Sequence, residues 1–125
     1  MGKKRNIKRT INRIIELYVK EVCELFSVDA VILFGSQNRD HATEHSDIDL
    51  AVVSQDFKRM DKYMGLKLLN TLSTKIDGSI EAIPLTREDL RKPKVGTVEY
   101  SVKNQGTIVW KPNKSKILTS TRAIF

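Results

Sequence analysis

The chain has 125 residues, 40% of them hydrophobic and 30% charged, which suffices for one buried core and leaves no room for a second folded domain. That balance excludes a chain disordered by composition or embedded in a membrane. Its formal net charge of +7, from 22 Lys and Arg against 15 Asp and Glu, favours phosphate-rich or acidic partners in general and specifies none of them.

From Ile7, the apolar residues Ile11, Ile14, Ile15, Tyr18, Val22, Leu25 and Phe26 recur at helical spacing, which predicts a long amphipathic helix. Ala30 to Phe34 is a short apolar run rich in strand formers and ended by Gly35, so a buried strand is expected there. A polar segment, Ser36 to Ser46, follows. Asp47 to Val53 then alternates, with Ile48, Leu50 and Val52 on one side and Asp47, Asp49 and Ala51 on the other; this predicts a second strand with one acidic face.

Met60, Met64, Leu68, Leu69, Leu72 and Ile76 predict a second helix over about Lys58 to Lys75, closed by the Asp77-Gly78 turn. Ser79 to Leu85 reads as a third strand, and Thr86 to Asp89 as a capping box opening a short helix that Pro93 interrupts. Val95, Val98 and Val102 suggest one or two further helical turns before Thr107 to Trp110, a short closing strand. The expected architecture is a small α/β or α+β domain over residues 1–111, with a basic tail at 112–125.

The lone cysteine, Cys23, lies within the first apolar helical pattern; it excludes an internal disulfide framework and reads as core packing. The basic start, Met1 to Arg5, is not followed by the uninterrupted apolar stretch of a signal peptide or membrane span, so a cytoplasmic location without membrane insertion is expected.

Chemistry concentrates between Phe34 and Leu50. A glycine directly after a buried strand lets a ligand approach the backbone, amides that follow can point at a phosphate, and Ser36 adds a hydroxyl. Asp47 and Asp49 are two apart on a predicted strand, so both project from one face with attachment points about 6–7 Å apart. Like charges so placed repel and suit a shared cation, and their hard oxygens favour Mg²⁺ or Mn²⁺. Singly, a Gly-Ser turn and an Asp-x-Asp strand are ordinary features. His41 and His45 read as solvated residues of the connecting segment.

Together, Gly35-Ser36 and Ser46-Asp47-Ile48-Asp49-Leu50 resemble the signature of the polymerase-beta-type nucleotidyltransferases in their minimal, single-domain form. The resemblance runs from about Val28 to Trp110 and implies a small mixed β-sheet flanked by helices. It implies Asp47 and Asp49 as the paired metal-binding carboxylates, Gly35 and Ser36 as the phosphate-binding turn, and Arg39 as a basic residue close to that turn. A third carboxylate is implied on a later strand in an apolar-acid-apolar setting, which Glu81 fits; Asp77, in an Asp-Gly turn, is the weaker match. Gln37, Asn38 and Asp40 depart from the arginine, small residue and glycine often found there, which removes a charge-assisted contact to a triphosphate.

What the resemblance implies functionally is binding of ATP or another nucleoside triphosphate with Mg²⁺, or Mn²⁺, and transfer of the nucleotidyl group to a hydroxyl, with Glu81 holding a second metal or accepting the acceptor's proton. Minimal members are often paired with a small helical HEPN protein as antitoxin and toxin, which makes such a partner the expected acceptor. The competing expectation is a non-catalytic module that neutralises a partner by binding. Nucleic-acid binding through the basic ends is a third and less favoured one.

Overall fold

The computed structural model describes residues 2–35, 47–112 and 119–121. In chain order it contains helix α1 (Gly2–Leu25), strands β1 (Ala30–Phe34) and β2 (Ile48–Val53), a 3₁₀ turn (Gln55–Arg59), helix α2 (Lys62–Ile76) and strand β3 (Ile80–Leu85). A second 3₁₀ turn (Glu88–Leu90), helix α3 (Val98–Gln105) and strands β4 (Thr107–Trp110) and β5 (Thr119–Ser120) complete it. The strands form one mixed sheet in the order β3-β2-β1-β4-β5. Among the described strands only the β2–β3 pair is parallel, and α2 makes the crossover that a parallel pair requires.

Strand alternation divides the apolar residues between two layers. On one face Val31, Leu50 and Val52 meet Tyr18 and Val22 of α1 and Leu69 of α2; on the other, Ile32, Ala51 and Val53 meet Leu90, Val102 and Ile108. Cys23 packs against the first of these layers, as the helical pattern around it predicts. The 3₁₀ turn after β2 anchors the end of α1. Ser54 Oγ donates to Ser27 O at 2.7 Å, Ser27 N donates to Asp56 Oδ2 at 2.8 Å, and the Phe26 and Phe57 rings stack tilted, with centroids 5.0 Å apart. About two turns before the helix ends, the Tyr18 hydroxyl donates to Leu69 O at 2.9 Å.

Tyr18 is fully buried, and burial pushes its phenol well above the ordinary tyrosine range. The hydroxyl therefore acts as a neutral donor joining α1 to α2. Tyr18→Phe is expected to lower stability by about 1 kcal/mol, the net worth of one such bond, measured by urea unfolding. An unchanged midpoint would show that the bond contributes nothing beyond ring packing.

Element boundaries differ from the sequence reading where local chemistry overrides periodicity. Lys58 and Arg59 belong to the 3₁₀ turn, and α2 starts at Lys62 because Asp61 caps it, accepting from Tyr63 N at 2.9 Å. Thr86 and Asp89 do form a reciprocal box, with Asp89 Oδ2 accepting from Thr86 N at 2.9 Å and Thr86 Oγ1 from Asp89 N at 3.4 Å. Only a 3₁₀ turn follows. Val95 is exposed and lies before α3, which Thr97 caps. Within the segment read as a tail, Thr119 and Ser120 pair with Ile108 and Thr107 as β5, and Thr121 is fully buried. No helix among the described residues is long and apolar enough to cross a membrane.

Candidate active site

The acidic end of β2 lies on the α3 side of the sheet. Along that side of β2 the residues run Asp49, Ala51, Val53, half-buried and then twice buried, so Asp49 stands where the apolar layer gives out. Its neighbours are set by two registers. Antiparallel pairing puts Phe34 opposite Asp49, and parallel pairing puts Glu81 opposite it from the other side. Directly opposed residues on neighbouring strands lie about 5 Å apart at Cα, which brings the carboxyls of Asp49 and Glu81 into hydrogen-bonding reach. Asp47 is exposed and sits one residue before β2 begins.

Four causes raise the Asp49 carboxyl above the usual aspartate range: its burial first, then the charge of Glu81, the charge of Asp47, and the hydrogen bond to Glu81. Each disfavours a bare negative charge at this point. The arrangement is costly for an empty protein and suited to a cation that neutralises it. Asp77 behaves in the opposite way. Its carboxylate accepts from Ser79 N at 2.8 Å and from Ser79 Oγ at 2.6 Å, and these bonds hold it below the usual range, so it shapes the turn into β3 and is no part of the acidic site.

Gly35 follows Phe34 with φ +72°, the left-handed region that glycine occupies without strain. A Cβ there would come within 3.0 Å of Asp49 Cγ and 3.2 Å of Asp49 Cβ and would overlap Oδ2. The structure thus brings Gly35, Asp49 and Glu81 together, with Asp47 close enough for its charge to act on Asp49. Ser36 and Arg39 lie outside the described residues. The contact between Gly35 and Asp49 was not visible in the sequence, which assigns the glycine to phosphate alone. No local signal reveals it, because it depends on the register between two strands whose connection spans residues 35–47.

Carboxylate oxygens are the donors that Mg²⁺ and Mn²⁺ take. Among the described residues no group of three or more His, Cys, Asp or Glu is placed to hold a metal ion; the assembled feature is the Asp49–Glu81 pair, under the added field of Asp47. That pair fits a cation in donor chemistry and charge. A cavity of about 190 Å³ opens elsewhere, lined by Phe57, Met60, Lys62 and Pro84 among others. It lies three residues along β3 from Glu81, roughly 10 Å away, and its carboxylates Asp61 and Asp89 are engaged in capping backbone amides.

The profile of the nucleotidyltransferase domain matches residues 15–124, most of the chain, and the chain belongs to that family. Among solved structures, a Sulfolobus solfataricus protein described as a candidate nucleotidyltransferase superimposes with a TM-score of 0.70 at 23% identity, over 90% of this chain and 91% of that one. It shares the fold, a mixed sheet flanked by helices, as the sequence resemblance predicts. No functionally curated protein matches the chain. Membership makes a nucleoside triphosphate the substrate class of the family, usually with a divalent metal.

Proposed function

We propose that this domain is a Mg²⁺-dependent nucleotidyltransferase that uses ATP, or another nucleoside triphosphate, to modify a hydroxyl on a partner protein. One observation carries the reading: in a chain of this family, the strand registers bring Asp49, Glu81 and Gly35 together at the acidic end of β2. Asp47 and Asp49 would hold the cation, with Glu81 opposite Asp49 on the neighbouring strand. Bound there, a divalent cation would supply charge neutralisation for the triphosphate and its pyrophosphate leaving group.

The chain's own residues bind and orient. The turn at Gly35 and Ser36 receives the β and γ phosphates through backbone amides and the serine hydroxyl, with Arg39 supplying positive charge. An acceptor hydroxyl attacks the α-phosphorus, the bond from that phosphorus to the bridging oxygen of the β-phosphate breaks, and pyrophosphate leaves. Glu81 takes the proton that the hydroxyl loses. No covalent enzyme intermediate forms.

The partner we propose is a small helical HEPN-type protein, in a cytoplasmic toxin–antitoxin pair. The resemblance to minimal nucleotidyltransferases supports it. Incubation of the two proteins with each of the four α-labelled nucleotides and Mg²⁺ tests the proposal. Label on the partner is the expected outcome. Tight association of the pair with no label under any nucleotide establishes the binding-module alternative instead.

A further inference from the structure

We infer that Gly35 is a positioning residue for Asp49: the missing side chain opens the slot at the end of β1 in which the Asp49 carboxylate lies. The inference deepens the proposed function and rests on it for the role of Asp49, although the packing itself is independent of any reaction.

Gly35 meets two separate demands. Its φ of +72° is one, and that alone asks only for a residue that tolerates the left-handed region. The second is space. A Cβ at Gly35 would stand 3.0 Å from Asp49 Cγ and 3.2 Å from Asp49 Cβ, and the Cβ cannot swing away because the Asp49 backbone is held in the ladder on both sides, by Phe34 and by Glu81. Relief would require the carboxylate to rotate toward another side or the β1–β2 pairing to part. Gly96 is the internal contrast. It has φ +90° and nothing within 4 Å of where its Cβ would be, so it meets the conformational demand alone.

A phosphate-binding turn needs the left-handed conformation and an open backbone, and space on the side of Asp49 is a separate requirement. The second aims a carboxylate. By closing one wall against Asp49, the Gly35 backbone limits the rotamers the acid can adopt, and the Glu81 contact limits them from the opposite strand. Both restraints keep the Asp49 carboxylate between Gly35 and Glu81.

A double-substitution cycle on the full chain tests this without reference to activity. Gly35→Ala is expected to lower Tm by roughly 10 °C in the native background and by roughly 6 °C once Asp49→Ala has removed Oδ2 and Cγ, the remaining contact with Cβ at 3.2 Å keeping that loss above the one from Gly96→Ala. Equal losses in both backgrounds overturn the inference. If Gly35→Ala fails to fold, recovery of folded protein in the double variant supports it, and a double variant that also fails to fold overturns it.

The positioning role has its own readout. Mn²⁺ alone is titrated into the metal-free protein and followed by electron paramagnetic resonance. Gly35→Ala is expected to weaken its binding about tenfold, with Gly96→Ala unchanged; undiminished binding in Gly35→Ala removes the positioning role. A native protein that binds no Mn²⁺ and transfers no nucleotide sinks the proposed function, and the stability cycle still decides whether Gly35 makes room for Asp49.

Discussion

Asp49→Asn is expected to lower the rate of nucleotidyl transfer by on the order of 10³-fold, since it removes a negative ligand from the point where charge on the triphosphate is neutralised. The same change is expected to raise the stability of the metal-free protein. Asp49 faces Glu81 directly and feels Asp47, and opposed like charges cost about 0.2–1 kcal/mol. The pH dependence carries the sign. Because the folded-state value of Asp49 is raised, the folded protein binds more protons than the unfolded chain at pH values between the two, so this residue's contribution becomes less favourable as pH rises. Thermal unfolding should therefore show Asp49→Asn ahead of the native protein at neutral pH, with the gap closing as pH falls through the raised value of Asp49 toward the ordinary aspartate value, below which this contribution is gone. A variant that retains more than a tenth of the native rate would remove Asp49 from the chemistry.

Glu81→Gln is the second large effect. A carboxylate that takes up the acceptor's proton contributes about 10²–10⁴-fold, so transfer should fall by at least two orders of magnitude while nucleotide affinity, measured by equilibrium dialysis, stays within a few-fold. The isosteric amide keeps the hydrogen-bonding reach across to Asp49 and removes the charge. Two of the causes that raise Asp49, the charge of Glu81 and the bond to it, change together, so the acidic edge of any remaining activity should move to lower pH. A full native rate in Glu81→Gln would leave the metal-binding pair without a base from this chain.

Much of the fold follows from local pattern. Five apolar residues ended by glycine made β1, and the Asp61 and Thr97 caps begin helices whose apolar residues lie at helical spacing. The position of Glu81 was also legible once β3 was recognised, because a strand neighbouring β2 brings it beside Asp49; the role of Glu81 belongs to the proposed function. Two features were not. Thr119 and Ser120 carry no strand signal of their own, and their pairing with β4 depends on an edge that exists only in the folded sheet. The unequal settings of Asp47, exposed, and Asp49, half-buried, are equally invisible to a spacing of two.

By itself the sequence determined which residue types are available and on which elements they ride: a glycine after one strand, two aspartates at the start of the next, a glutamate on a third. The alternation that faces Asp49 away from Leu50 is a property of any strand and requires no partner. Only the tertiary structure decided that these elements meet. The antiparallel β1–β2 register and the parallel β2–β3 register set Gly35 and Glu81 on either side of Asp49. Those registers are chosen by burial of Leu50 and Val52 on one face and Ala51 and Val53 on the other, because a slip of one residue would turn every apolar side chain of the strand toward the wrong layer.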